Sequence, residues 1–185
     1  VALHGGVDEA DDDAVAAGLG WVELEAGEVG VAEVLAADSD FDPEVVEISQ
    51  AGPVLDEDDC RVSATFTDHG GITTLCYRVE GEGRRVIISG DGLPLEDFED
   101  FARGADLMVY ECSGTAEFLA QQPWGTWHIT PEALGDLATR CGVQRLMIKH
   151  LVMEDITGDL QAVDDMGERI RRNFDGQVMV GADGM

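Results

Sequence analysis

Four side chains of the types that bind metal ions or transfer protons stand at the ends of apolar segments or just before a predicted helix. They are His69, Asp91, His128 and His150. Imidazole nitrogens and carboxylate oxygens are common zinc ligands, and a bound divalent ion keeps aspartate ionised and histidine neutral. These residue types therefore predict a site for a divalent metal ion.

Each of these residues also has a structural explanation. A histidine at a strand end can be a hydrogen-bonded structural residue, and Asp91 in Ser-Gly-Asp could bond its own backbone in a turn. Glu111 ends a further apolar segment. His4 does not follow an apolar segment, and we interpret it as a surface residue. A non-catalytic α/β interaction module, or a module that only binds metal, therefore remains an alternative.

Alternating strands and helices would position these side chains. Strands are predicted at residues 61–67, 73–80, 84–89, 106–112, 143–148 and 177–180. Helices are predicted at residues 95–102, 131–141 and 163–173, with Thr130 capping the second and Pro131 in its first position. This order predicts an α/β fold, in which strand ends open into the crevice where ligands bind.

The first third of the chain carries weaker signals. An acidic helix is predicted at residues 8–19, short strands at 21–26 and 45–48, and a loop at 38–43. The sequence shows no internal repeat or linker, so a single domain over residues 1–185 is expected. No apolar run approaches the ~20 residues of a membrane-spanning helix, so we expect no membrane partner.

The charge balance is strongly acidic. Thirty-nine acidic residues face eleven basic ones, giving a net charge of −28, and Lys149 is the single lysine. Acidic residues recur along the whole chain, so they repel one another unless concentrated salt screens them. This composition predicts adaptation to very high salt, and an acidic surface that binds cations or basic partners is the alternative. Molar salt also weakens the argument that such a charge excludes nucleic acid.

Four cysteines are spread along the chain without Cys-x-x-Cys spacing or the density of a disulfide framework. They are Cys60, Cys76, Cys112 and Cys141. We interpret them as small buried residues in the reducing environment of the cytoplasm.

Five short pieces in a fixed order carry a family resemblance. They are Thr67-Asp68-His69, Ser89-Gly90-Asp91, Tyr110-Glu111-Cys112, His128-Ile129-Thr130 and Ile148-Lys149-His150. Their order and spacing resemble the metallo-β-lactamase superfamily, within it the ribonuclease Z-like and arylsulfatase-like branch. The matching stretch runs from about residue 60 to 151. The resemblance implies part of a metallo-β-lactamase αβ/βα sandwich.

The resemblance also implies roles for four residues. His69 would complete the shell of a first metal ion, Asp91 would bridge two ions, and His150 would bind the second. His128 stands at the position of that branch's His-Ser-Thr motif, which reads His-Ile-Thr here, and would donate a proton or stabilise charge. Glu111 would orient or support these groups.

The implied activity is hydrolysis of phosphodiester or related ester bonds by metal-activated water. One or two Zn²⁺ ions are expected, with Mn²⁺ as an alternative, and the substrate would be a small-molecule or nucleic-acid ester. Hydrolysis of a β-lactam or a thioester on the same fold is the other alternative.

The superfamily's His-x-His-x-Asp-His motif is absent, since no two of the four histidines lie within four residues of each other. Because that motif supplies most of the metal ligands, we expect this chain to be the C-terminal portion of the fold. Half of a sandwich would expose an apolar sheet face. A homo-oligomer, or association with the missing N-terminal half, is therefore expected.

Overall fold

The structure is a computed structural model that describes residues 47–153, 158 and 160–181. All its helices and strands lie in the compact unit Gln50–Met185. His4, the helix at 8–19, the strand at 21–26 and the loop at 38–43 lie outside the described residues, as does the first half of the strand at 45–48. Residues 47 and 48 are described and are not in a strand. The single domain over residues 1–185 therefore remains a prediction.

The described strands form one mixed sheet. They are β1 (Gly52–Glu57), β2 (Cys60–His69), β3 (Ile72–Gly81), β4 (Arg84–Ile88), β5 (Leu93–Pro94), β6 (Leu107–Glu111), β7 (Arg145–Lys149) and β8 (Gln177–Val180). Their order is β1-β2-β3-β4-β6-β7-β8, with β5 paired to β2. Neighbours from β1 to β4 are antiparallel, and β4, β6, β7 and β8 are parallel. The predicted α/β fold class is confirmed.

The helices are α1 (Phe98–Ala102), α2 (Ala116–Leu119), α3 (Pro131–Cys141) and α4 (Leu160–Arg171), with a 3-10 turn at Gly125–Trp127. The predicted start of α3 is confirmed, because Thr130 Oγ1 accepts a bond from the Ala133 amide at 3.3 Å. Helix α1 is shorter than predicted, because the helix begins only after Asp97. No helix in the described part of the chain combines the length and apolar content needed to span a bilayer.

The hydrophobic core lies on one face of the sheet. Met108 and Leu146 from the strands pack with Leu134 of α3 and Met166 of α4, and all four are fully buried. Burying a side chain of this size contributes about 1.5–3 kcal/mol. The core thus fixes the helices on this face and holds the central strands in place.

Apolar side chains also cover the opposite face, because successive side chains of a strand point to opposite sides. Val86, Ile88, Val109 and Met147 lie there, outside the core cluster. Ile88 is 37% exposed. This is the face for which the sequence predicts a covering partner.

Strand direction brings the candidate residues to one edge. Strands β2 and β4 both run antiparallel to β3, and β6 and β7 run parallel to β4. The carboxyl ends of these four strands therefore lie at the same edge of the sheet. His69 and Glu111 end β2 and β6, Asp91 follows β4, and His150 follows β7.

Candidate metal centre

The loop after β4 holds Asp91 by its backbone. The Asp91 carbonyl accepts bonds from Thr67 Oγ1, at 2.9 Å, and from Thr74 Oγ1. Gly92 follows at φ 113°, and a Cβ there would collide with the Asp68 carbonyl. These contacts do not use the Asp91 carboxylate, which is left to face the sheet edge.

The Asp91 carboxylate lies between two basic side chains. Its Oδ2 is 3.6 Å from His150 Nε2 and its Oδ1 is 3.6 Å from Lys149 Nζ. His150 adopts φ 60°, a left-handed conformation that is uncommon outside glycine and costs on the order of 1–3 kcal/mol. The surrounding structure therefore holds His150 in a strained position beside Asp91.

His69 lies against His128. Their Nε2 atoms are 3.2 Å apart, and their ring centroids are separated by 4.8 Å. Trp124 packs edge-on against His128, and Trp127 packs against His69 with centroids 5.6 Å apart. Gly70 allows this packing, since a Cβ there would collide with the Trp127 ring. The two tryptophan side chains therefore form one side of the site, next to His69 and His128.

Glu111 is completely buried and connects two loops. Its Oε1 accepts bonds from the amides of Gly92, at 3.4 Å, and Ile129, at 3.1 Å. Its Oε2 accepts the Ser113 hydroxyl at 3.1 Å and lies 3.2 Å from His128 Nδ1. Through these four contacts Glu111 joins the loops that carry Asp91 and His128.

The most compact group of donor atoms differs from the predicted metal set. Among the described residues, donor atoms of Glu111, His128 and His150 lie within 4.8 Å of one another. Both oxygens of Glu111 are already engaged by protein groups, so it is a poor ligand. The Asp91 carboxylate lies near His150, with Oδ2 3.6 Å from Nε2. His69 instead lies near His128, with their Nε2 atoms 3.2 Å apart. The sheet edge therefore brings Asp91 to His150 and His69 to His128, whereas neither His69 nor Asp91 belongs to the close group of donor atoms found among the described residues.

Two of the histidines, His69 and His150, favour the neutral form that can bind a divalent ion. Burial lowers the pKa of His69, His128 lowers it further, and Asp91 acts in the opposite direction. Burial also lowers the pKa of His150, against the effect of Asp91. Both rings are thus neutral at pH 7, the form that binds metals.

The spacing of the donors fits as well. Bonds of about 2.0–2.2 Å at a tetrahedral angle place two ligand atoms roughly 3.3–3.5 Å apart. The 3.6 Å between Asp91 Oδ2 and His150 Nε2 is close to that separation. The spacing of this one pair, Asp91 and His150, is therefore compatible with two ligands of a zinc-like ion.

The chain is similar to known proteins in both sequence and fold. No protein-family model matches the chain. Ribonuclease Z of Mycobacterium tuberculosis is 29% identical over 119 residues, which are 60% of this chain and 43% of that protein. Ribonuclease Z of Haloarcula marismortui is 31% identical over 121 residues, 64% of this chain and 37% of that protein. The chain spans less than half the length of these two relatives.

The fold has a solved counterpart in the metallo-β-lactamase fold protein YhfI from Bacillus subtilis. The match covers 76% of this chain and 54% of that chain, with a TM-score of 0.62 and 21% identity. The chain is related to the ribonuclease Z-like proteins of the metallo-β-lactamase superfamily. The resemblance inferred from the five sequence pieces is thereby confirmed.

Lys149 would compete with a metal ion for Asp91, because its ammonium group neutralises part of the charge of the Asp91 carboxylate. The lysine side chain is 33% exposed, and a pair of this kind contributes up to about 1 kcal/mol. We expect Lys149→Met to strengthen zinc binding roughly two- to fivefold, as measured by calorimetry.

The matched control is Lys149→Arg, which keeps the positive charge and should bind zinc like the unmodified chain. Weaker binding by the methionine variant would show that Lys149 supports the carboxylate and does not compete for it.

Proposed function

We propose that this chain carries part of the active site of a metal-dependent hydrolase that cleaves phosphodiester bonds, with RNA as the substrate class. The approach of Asp91 Oδ2 to His150 Nε2 at 3.6 Å is the observation that carries this proposal. His69 lies at the same edge and completes the proposed metal ligands. The names of the two ribonuclease Z relatives support RNA as the substrate.

Zinc is the proposed ion, because imidazole ligands favour it over ions that prefer oxygen, and Mn²⁺ is the alternative. When bound, the ion would polarise the attacking water and the phosphoryl oxygen. Lys149 Nζ lies beside Asp91 Oδ1, so only Oδ2 is directed at His150. This arrangement favours one bound ion over two.

His128 is the proposed proton donor. Its Nδ1 lies 3.2 Å from Glu111 Oε2, and a buried carboxylate at that position orients the ring. The opposite nitrogen, Nε2, lies beside His69 on the side of the metal ligands. His128 can transfer a proton to the leaving oxygen of a cleaved ester only when Nε2 carries a second proton in addition to the one on Nδ1.

The experiment supplies Zn²⁺ or Mn²⁺ to the chain in concentrated salt, together with a labelled RNA and bis(p-nitrophenyl) phosphate. We expect chelator-sensitive cleavage that falls by roughly 10²–10⁴-fold in His128→Ala, the usual contribution of a positioned acid or base. A chromogenic β-lactam and a thioester are included and should not be cleaved.

Cleavage of the β-lactam or the thioester instead of the phosphodiesters would establish the alternative hydrolase. Metal binding without cleavage of any substrate would overturn the proposed activity and leave a non-catalytic metal-binding module.

We also infer a partner for the apolar sheet face. Val86, Val109 and Met147 lie there, and Ile88 is 37% exposed. Contiguous apolar surface of this kind is typical of protein interfaces. A second copy of the chain, or a segment supplying the absent histidine motif, is the proposed occupant.

The cellular setting is likewise a proposal. An excess of twenty-eight negative charges favours concentrated salt, in which their mutual repulsion is screened. All four cysteines are free, and Cys76, Cys112 and Cys141 are buried. Free thiols are typical of the reducing cytoplasm, so we propose that the protein acts there.

A further inference from the structure

Ser113, two residues beyond the end of β6, is completely buried at the centre of the site. Its Oγ lies 2.9 Å from His128 Nδ1, 2.9 Å from His150 Nδ1 and 3.1 Å from Glu111 Oε2. One hydroxyl therefore contacts both the proposed proton donor and a proposed metal ligand. Nothing in the sequence pattern alone indicates this junction.

The hydrogens at this junction can be counted. The hydroxyl of Ser113 has one hydrogen to donate and two lone pairs that accept. His128 Nδ1 faces two oxygens, Ser113 Oγ and Glu111 Oε2, and must therefore carry a hydrogen. The Ser113 hydrogen is donated to the Glu111 carboxylate, because a charged acceptor makes the stronger bond.

This count determines the tautomer of His150, the third partner of Ser113. With the Ser113 hydrogen directed at Glu111, the contact from His150 Nδ1 can be a hydrogen bond only if that nitrogen is the donor. His150 then carries its hydrogen on Nδ1 and keeps a bare lone pair on Nε2. That lone pair faces Asp91 Oδ2, so two acceptors face each other across 3.6 Å. A cation between them resolves the repulsion.

We propose that Ser113 is a positioning residue that holds His150 in the Nδ1–H tautomer. Through His150 it exposes a nitrogen lone pair to the metal position, and through Glu111 it stays connected to the proton donor. The roles of the two histidines rest on the proposed function, whereas the tautomer assignment rests only on the contacts of Ser113.

The test is ¹H–¹⁵N correlation of the imidazole nitrogens in the metal-free chain at a pH above the histidine pKa values. We expect Nδ1 of His128 and His150 to be protonated and Nε2 of His150 to be bare. In Ser113→Ala, His150 should shift towards the Nε2–H tautomer that an unconstrained histidine prefers. His128 should stay protonated on Nδ1, because the Glu111 carboxylate still lies 3.2 Å from that nitrogen, and it serves as the internal control.

Ser113→Thr keeps the hydroxyl and should restore the tautomer of His150. Zinc titration of the same proteins provides a second readout. We expect Ser113→Ala to bind zinc roughly 10–100-fold more weakly, the usual effect of removing a group that orients a ligand, and Ser113→Thr to bind nearly normally.

Protonated Nε2 on His150 in the unmodified chain would overturn the proposal, as would an unchanged spectrum of His150 in Ser113→Ala. The spectrum of the unmodified chain decides the assignment even if the alanine variant does not fold. If the tautomers are as expected but zinc does not bind, the proposed function fails while the role of Ser113 stands.

Discussion

Replacing Asp91 with asparagine is expected to weaken zinc binding by at least about 100-fold, since changes to groups behind the ligands already cost 10–100-fold. The substitution removes the negative charge that faces His150 Nε2 at 3.6 Å. It leaves the backbone contacts of this residue to Thr67 and Thr74 in place, so the loop should keep its conformation. Isothermal calorimetry in concentrated salt measures the effect.

Asp68 provides the matched control for this experiment. It is an exposed aspartate at the end of β2, and its Oδ1 accepts a bond from the Gly71 amide at 2.9 Å. We expect Asp68→Asn to bind zinc like the unmodified chain. Equal affinity of the unmodified chain and Asp91→Asn would remove Asp91 from the ligand set.

Replacing Glu111 with alanine is expected to lower the free energy of unfolding by about 3–5 kcal/mol. The carboxylate is fully buried, and its loss leaves the amides of Gly92 and Ile129 without their acceptor. It also removes the partner of Ser113 and His128. Urea unfolding followed by circular dichroism, in one fixed salt concentration, measures the change.

Two variants calibrate that measurement. Glu111→Gln keeps an oxygen for the two amides but turns an NH₂ group towards Ser113 and His128, so an intermediate loss is expected. Glu117→Ala removes an exposed partner of Arg169 and should change the free energy of unfolding far less. A loss below about 1 kcal/mol in Glu111→Ala would mean that water replaces the carboxylate at low cost.

Local signals predicted the elements well where capping residues define them. Thr130, Pro131 and Gly142 mark both ends of α3, and the structure begins and ends the helix with them. Strand β1 was missed because it is an edge strand with a largely exposed, acidic sequence, in which Leu55 is 41% exposed. Strand β1 is held by its pairing with β2, so its own residues do not need the alternating apolar pattern from which a strand is predicted.

The site was predictable to the extent that strand ends determine it. His69 ends one strand, Asp91 and His150 follow two others, and the shared direction of these strands brings the three residues to one edge. The contacts of Ser113 could not be predicted, because it meets His128 across 15 positions and His150 across 37. Such contacts depend on how loops pack, for which no local sequence signal exists.

The Glu111 carboxylate has a consequence for motion at the site. It accepts the amide of Gly92, next to Asp91, and the amide of Ile129, next to His128. Neither loop can swing away without breaking a bond to the same buried anion. The two loops should therefore open together. We do not expect either loop to move alone as a lid when a substrate enters the site.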